Sequence, residues 1–80
     1  MHIDEILTKE RTQYISRIVV NPEDTVAKSI HAIALEFHNG DIKRIDIPRP
    51  RFGGEKIKEI LLLHKIDIAI EQYKEKLARN

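Results

Sequence analysis

The chain has no cysteine and no tryptophan, and its 80 residues include only two phenylalanines, two tyrosines, three glycines and three prolines. Without cysteine there can be no disulfide, no thiolate ligand and no thiol nucleophile, and nothing points to an oxidising compartment. No apolar run approaches the roughly 20 residues of a membrane-spanning helix. Met1-His2-Ile3-Asp4-Glu5 lacks the basic-then-apolar order of a signal peptide, so the expectation is a soluble, cytoplasmic protein with no membrane association. Fourteen basic residues nearly cancel thirteen acidic ones for a formal net charge of +1, so any electrostatic preference has to be local.

What is present is aliphatic. Hydrophobic residues make up 41% and charged residues 34% of the chain, with fourteen isoleucines among them, which is the composition of a folded globule rather than a disordered segment. Eighty residues build one hydrophobic core, so residues 1–80 are read as a single small domain. For a domain this small, apolar burial at about 25 cal/mol per Å² roughly balances about 1.5 kcal/mol of ordering entropy per residue. Metal, ligand or self-association are the usual supplements.

Ile3, Ile6, Leu7 and Tyr14 recur at helical spacing behind Asp4 and Glu5, giving a short N-terminal helix that ends near Thr12. Tyr14 to Val20 is β-branched and reads as a strand or as a continuation of that helix, and Asn21-Pro22-Glu23-Asp24 stops it. The next segment has two readings. As a helix it is capped by Asn21, begins at Pro22, lines Val26, Ile30, Ile33 and Phe37 on one face and ends at Gly40. As a hairpin, SIHAIALEF and DIKRIDI flank Asn39-Gly40. A three-residue loop of His38, Asn39 and Gly40, with the glycine left-handed, sets Ile33 opposite Ile45, Leu35 opposite Lys43 and Ile47 beside His31. That register keeps one face mainly apolar, and the alternation of IKRIDI needs a partner strand, so the hairpin is favoured.

From Gly54 to Asn80 the pattern is helical. Ile60, Leu63, Ile66, Ile70, Tyr73 and Leu77 form a stripe that Ile57, Leu61 and Ile68 widen, with a break conceivable at His64-Lys65-Ile66-Asp67, where Asp67 would cap a second helix. An unbroken helix of about 25 residues is roughly 38 Å long, whereas a compact domain of this size is about 30 Å across. Its far end should therefore overhang, leaving Ile66, Ile70, Tyr73 and Leu77 as candidate contacts with a second copy.

IPRPRFGGEKIK is the other conspicuous stretch. Lys43, Arg44, Arg49, Arg51, Lys56 and Lys58 outnumber Asp46 and Glu55 to give residues 43–58 a local charge of +4. Pro48 and Pro50 stiffen the arm, and Gly53-Gly54 opens a helix whose free N–H groups attract phosphate or carboxylate. The segment is thus either an anion-binding arm or an exposed connector kept soluble by its cations. The glycine pair is neither a P-loop nor a dinucleotide fingerprint. The spacing of His2, His31, His38 and His64 fits no compact metal site. Neither Asp41, Asp46 and Glu36 nor Ser16 and Ser29 are spaced as a catalytic set. HKID lacks the small residue of a helix-turn-helix turn.

The expected architecture is α+β: a short N-terminal helix, an antiparallel hairpin or three-stranded meander, and a long C-terminal helix or helix pair packed on one sheet face. The expected function is a non-enzymatic interaction or regulatory module, without cofactor or metal, self-associating as a homodimer through its C-terminal helix. The alternative is a nucleic-acid-binding protein that uses Lys43, Arg44, Arg49, Arg51, Gly53, Gly54, Lys56 and Lys58 against phosphates.

Overall fold

Alternating residues need a sheet and a 3.6-residue period needs something to lie on, and the computed structural model, which describes residues 7–79, has both. A single helical turn α1 (Lys9–Thr12) leads into β1 (Ile15–Val19), a 3-10 turn (Pro22–Asp24), a small hairpin of β2 (Thr25–Val26) and β3 (Ser29–Ile30), then β4 (Ala32–Phe37), β5 (Ile42–Asp46) and one helix, α2 (Gly54–Ala78). The architecture is α+β. The main sheet is antiparallel in the order β1-β4-β5, and the expected turns at Ile3 and Ile6 lie outside the described residues.

The central hairpin has the register that the apolar pattern demands: Ile33 faces Ile45 and Leu35 faces Lys43. The Phe37 N–H donates to the Asp41 carbonyl at 2.8 Å across the three-residue loop, and Gly40 takes φ 93°, which a side chain disfavours. The Ile47 N–H donates to the His31 carbonyl at 2.9 Å, extending the pairing past β5. In β1 the register slips between Ile15 and Arg17, so that Ile15 and Ile18 oppose Phe37 and Leu35. The β2–β3 connection is less ordinary. Ala27 and Lys28 both have positive φ, 50° and 65°, as a two-residue type I′ turn requires. Neither is glycine or asparagine, and left-handed backbone costs such residues about 1–2 kcal/mol each.

One face of the sheet carries the core. Ile15, Ile33, Leu35, Phe37, Ile45 and Ile47 pack against Leu62, Ile66, Ala69, Ile70 and Tyr73 of α2. At the hairpin end the Tyr73 ring stacks on Phe37 at 4.3 Å between centroids and meets Tyr14 edge-on at 6.4 Å. The opposite face is closed differently: the small side chains of Ala32 and Ala34 are buried, alongside the ion pairs Arg17–Glu36 (2.7 Å), Arg44–Asp24 (2.8 Å) and Arg44–Asp46 (2.7 Å).

Two expectations about α2 change. It is one continuous helix of 25 residues, and Asp67 does not cap a second helix; its carboxylate accepts two bonds from Arg11, at 2.9 and 3.0 Å. The overhang is also at the other end. Lys65 Nζ donates to the Asp46 carbonyl at 3.2 Å and Lys76 pairs with Asp41 at 2.7 Å, so α2 crosses β5 between these residues. Eleven helical residues at about 1.5 Å match five strand residues at about 3.3 Å. The turns before Leu62 therefore run past the strand ends, and no residue from Gly54 to Leu61 is buried. Ile66, Ile70 and Tyr73, expected to be bare, are buried on this chain's own sheet and are not free to meet a second copy. Of the four expected contacts only Leu77 is exposed.

The two faces of α2 are separable by mutation. Leu62→Ala should lose about 2–5 kcal/mol of unfolding free energy in urea, while Ile60→Ala should stay within about 0.5 kcal/mol. Equal losses would mean that α2 packs with a different face.

Candidate functional site

A helix that projects beyond its sheet has more than one face to account for. Ile57, Leu61, His64 and Ile68 follow one another at spacings of four, three and four, a seam about 180° from Ile66 at 3.6 residues per turn. All four are exposed, Ile68 to 45%, and Ile60 beside them is 52% exposed. The helix is thus apolar on both sides: one packs on the sheet and the other meets solvent. The same line continues into Glu71, which also pairs with Lys74 at 3.2 Å, and Glu75, while the segment that enters the helix carries Arg51 and Phe52, whose ring is 85% exposed. An apolar band with an acidic far end and a basic near end is therefore built from the part of α2 that the core does not use.

The basic segment does not form one surface. Arg44 lies on the sheet face away from α2, held by Asp24 and Asp46. Lys43, opposite Leu35, looks toward the middle of α2 and borders the shallow groove with Gln72 and Ala69. Arg49 reaches back toward β4, its Nη2 donating to the His31 ring at 3.0 Å from Nε2. Arg51 and Lys56 are exposed, and Lys58 makes a long pair with Glu55 at 3.8 Å. Gly53 and Gly54 both take positive φ, 94° and 55°. A Cβ on Gly53 would come within 2.7 Å of Ile57 Cβ, so the glycine pair is explained by the path of the chain into α2.

The remaining polar groups fasten the fold. His38 Nε2 donates to the Thr12 carbonyl at 2.8 Å, and its backbone N–H donates to the Tyr14 carbonyl at 3.1 Å. Asp24 is buried, at 6% exposure, with Arg44 as its charge partner. The Arg44 hydrogen bond holds the Asp24 carboxyl below its ordinary range, against the opposing pull of desolvation. Lys76 and Asn39 likewise lower Asp41 by hydrogen bonding. Among the described residues no group of three or more His, Asp or Glu side chains is gathered as a metal ion would require, and no helix is long and apolar enough to cross a membrane. The exposed seam was present in the sequence as the 4-3-4 spacing of residues 57 to 68. The hairpin register had set His31, which Arg49 meets, beside Ile47, whereas Lys28, which borders the same hollow, carried no local signal.

No family model, curated protein or solved structure matches the chain.

A carboxyl whose folded-state pKa is depressed stabilises the fold above its unfolded value and loses that contribution as pH falls through the folded value. Asp24→Asn should therefore be less stable than the parent at pH 7, with the gap closing as pH drops below about 4. Urea midpoints at pH 7, 5 and 3 measure this, and a gap that does not narrow between pH 5 and pH 3 would show that charge on Asp24 is not its contribution.

Proposed function

We propose that the chain is a non-enzymatic interaction module that works as a homodimer, a second copy docking antiparallel on the outer face of α2. The observation that carries this reading is the exposed line Ile57, Leu61, His64 and Ile68 with Ile60 at its flank, on the helix face turned away from the sheet. Isolated exposed isoleucines need no explanation, but a run of them at seam spacing over three turns does.

The occupant follows from the charges at the two ends. Antiparallel pairing about the midpoint between Leu61 and His64 sets Ile57 of each copy against Ile68 of the other. The same operation brings Glu71 of each copy to the Gly54 end of the other helix, where the dipole favours negative charge, and Glu75 toward Arg51. A parallel pair would instead align Glu71 with Glu71 and Glu75 with Glu75. The two-fold arrangement is self-complementary, as a closed homodimer has to be. It also covers apolar surface that a core of this size leaves in water.

Sedimentation at ~10–100 μM, the range expected for an interface shorter than the standard about 800 Å² per partner, should give twice 9.3 kDa. Leu61→Glu should give a folded monomer with the parent's circular dichroism, because the residue is outside the core. A parent that stays monomeric at the upper concentration, or a Leu61→Glu variant that still dimerises, rejects the reading.

A further inference from the structure

A second feature lies away from the middle of the seam. An open cleft of about 740 Å³ lies between the β2–β3 turn, the arm after β5 and the first turn of α2. This is within the roughly 300–1,000 Å³ typical of small-ligand sites. Four basic side chains from separate elements border it: Lys28 on the turn, His31 before β4, Arg49 on the arm and Lys58 on α2, against one carboxylate, Glu55. Its other lining is apolar, chiefly Val26, Ile30, Ile47 and Pro50.

Arg49, like Arg51 and Arg79, has no carboxylate partner among the described residues. Arg11, Arg17 and Arg44 are each paired with carboxylates at 2.7–2.9 Å. Arg49 instead directs its guanidinium at the imidazole of His31, another basic group. With no carboxylate within ion-pair distance of it among the described residues, the Arg49 guanidinium keeps its charge and its other N–H groups for an oxyanion in the cleft. The start of α2 adds a second donor set. Gly53 contributes no side-chain cap, so the first N–H groups of the helix are left for another acceptor at the edge of the same cleft. The strained Ala27-Lys28 turn is the third element. It keeps a left-handed backbone without glycine at the point where Lys28 overhangs the cleft, and strain of this kind collects at binding sites.

We infer that this cleft binds a phosphate monoester carrying an apolar moiety, a ligand of about mononucleotide size. The phosphate sits between Arg49, His31, Lys58 and the α2 N-terminus, and the apolar part lies on Val26, Ile30 and Pro50. Lys58 is on the flank of α2, whereas Gly54 continues the seam spacing, so in the proposed dimer the second copy's Glu71 and the phosphate are alternative occupants of the start of α2. The mixed lining favours a small amphipathic ligand over a nucleic-acid backbone, because a track of phosphates would be served by a continuous basic stripe, and Lys43 and Arg44 face elsewhere.

Amide NMR titration of the full chain at 50 mM salt tests this with three probes: adenosine monophosphate, inorganic phosphate and a ten-residue oligothymidylate. The monophosphate should give saturable shifts confined to Ala27–His31, the arm around Ile47 and Arg49, and Gly54–Lys58. Inorganic phosphate should move the same peaks with affinity roughly tenfold lower, the loss expected when the apolar contact is missing. Arg49 is exposed and Lys58 is half-buried outside the core, its one charge partner the exposed Glu55, so Arg49→Gln and Lys58→Gln should preserve the fold, and each should weaken the monophosphate about tenfold. No saturable shift by about 10 mM, the weak limit of measurable binding, overturns the inference, as does an affinity unchanged in Arg49→Gln. Tight, steeply salt-dependent binding of the oligothymidylate with no response to the monophosphate also overturns it, in favour of a nucleic-acid surface.

Discussion

A sheet whose outer strand is five residues long and a helix of 25 residues cannot cover one another. The contact between them is limited by the shorter partner, so about eleven residues of α2 suffice for the sheet and the rest are surplus to it. Every other property of the molecule follows from where that surplus falls. The pins Lys65–Asp46 and Lys76–Asp41 fix the crossing at the distal half. The aromatic stack of Tyr73 on Phe37 holds that half where the core is widest. The proximal turns are then left projecting past the sheet, beside the β2–β3 hairpin and the proline-bearing arm.

The sheet itself is finished without a second layer. Alanines at 32 and 34 keep the second face shallow enough for salt-bridged arginine and glutamate side chains to share it. This arrangement consumes charge. Arg44 belongs by sequence to the basic segment, yet its guanidinium is held by Asp24 and Asp46 and contributes to closing the fold. What remains uncompensated is concentrated where the chain turns from β5 to α2. The structure thus divides one cationic stretch into a structural part on the strand and a free part on the arm.

Much of this was legible beforehand, and the limits are instructive. Asn39-Gly40 and the alternation on both sides specify the hairpin and its register, because a shift by one residue would turn Ile33 and Ile45 to the wrong face. The competing helix across Pro22–Phe37 loses because the turn and the partner strand act together, whereas its helical stripe was only four residues. The length of α2 was equally legible. Its orientation was not, because isoleucine and leucine occupy almost the whole circumference from residue 57 to 70. Periodicity identified a stripe through Ile60 and Leu77, which are exposed, and passed over Leu62 and Ala69, which are buried. When both faces are apolar, only the tertiary partners decide which one is core. The cleft was half visible: Arg49, Lys58 and Gly54 stood in the basic segment and the hairpin register set His31 beside Ile47, but Lys28 carried no local signal.

The projecting turns still have to be helical without a sheet beneath them, and the sequence shows how. Helix formation is limited by nucleation, and once the distal turns are fixed by burial, each further residue adds a hydrogen bond at the lower cost of propagation. Glu55, Lys56, Lys58 and Glu59 are strong helix formers, and Glu55 and Lys58 form an ion pair at the i, i+3 spacing. At the outer end the two glycines do not favour helix, but they let the chain turn sharply against Ile57. The core therefore supplies the nucleus and the surface residues the extension. An element anchored at one end and apolar along its free side is suited to presenting a surface whose shape does not depend on what later covers it.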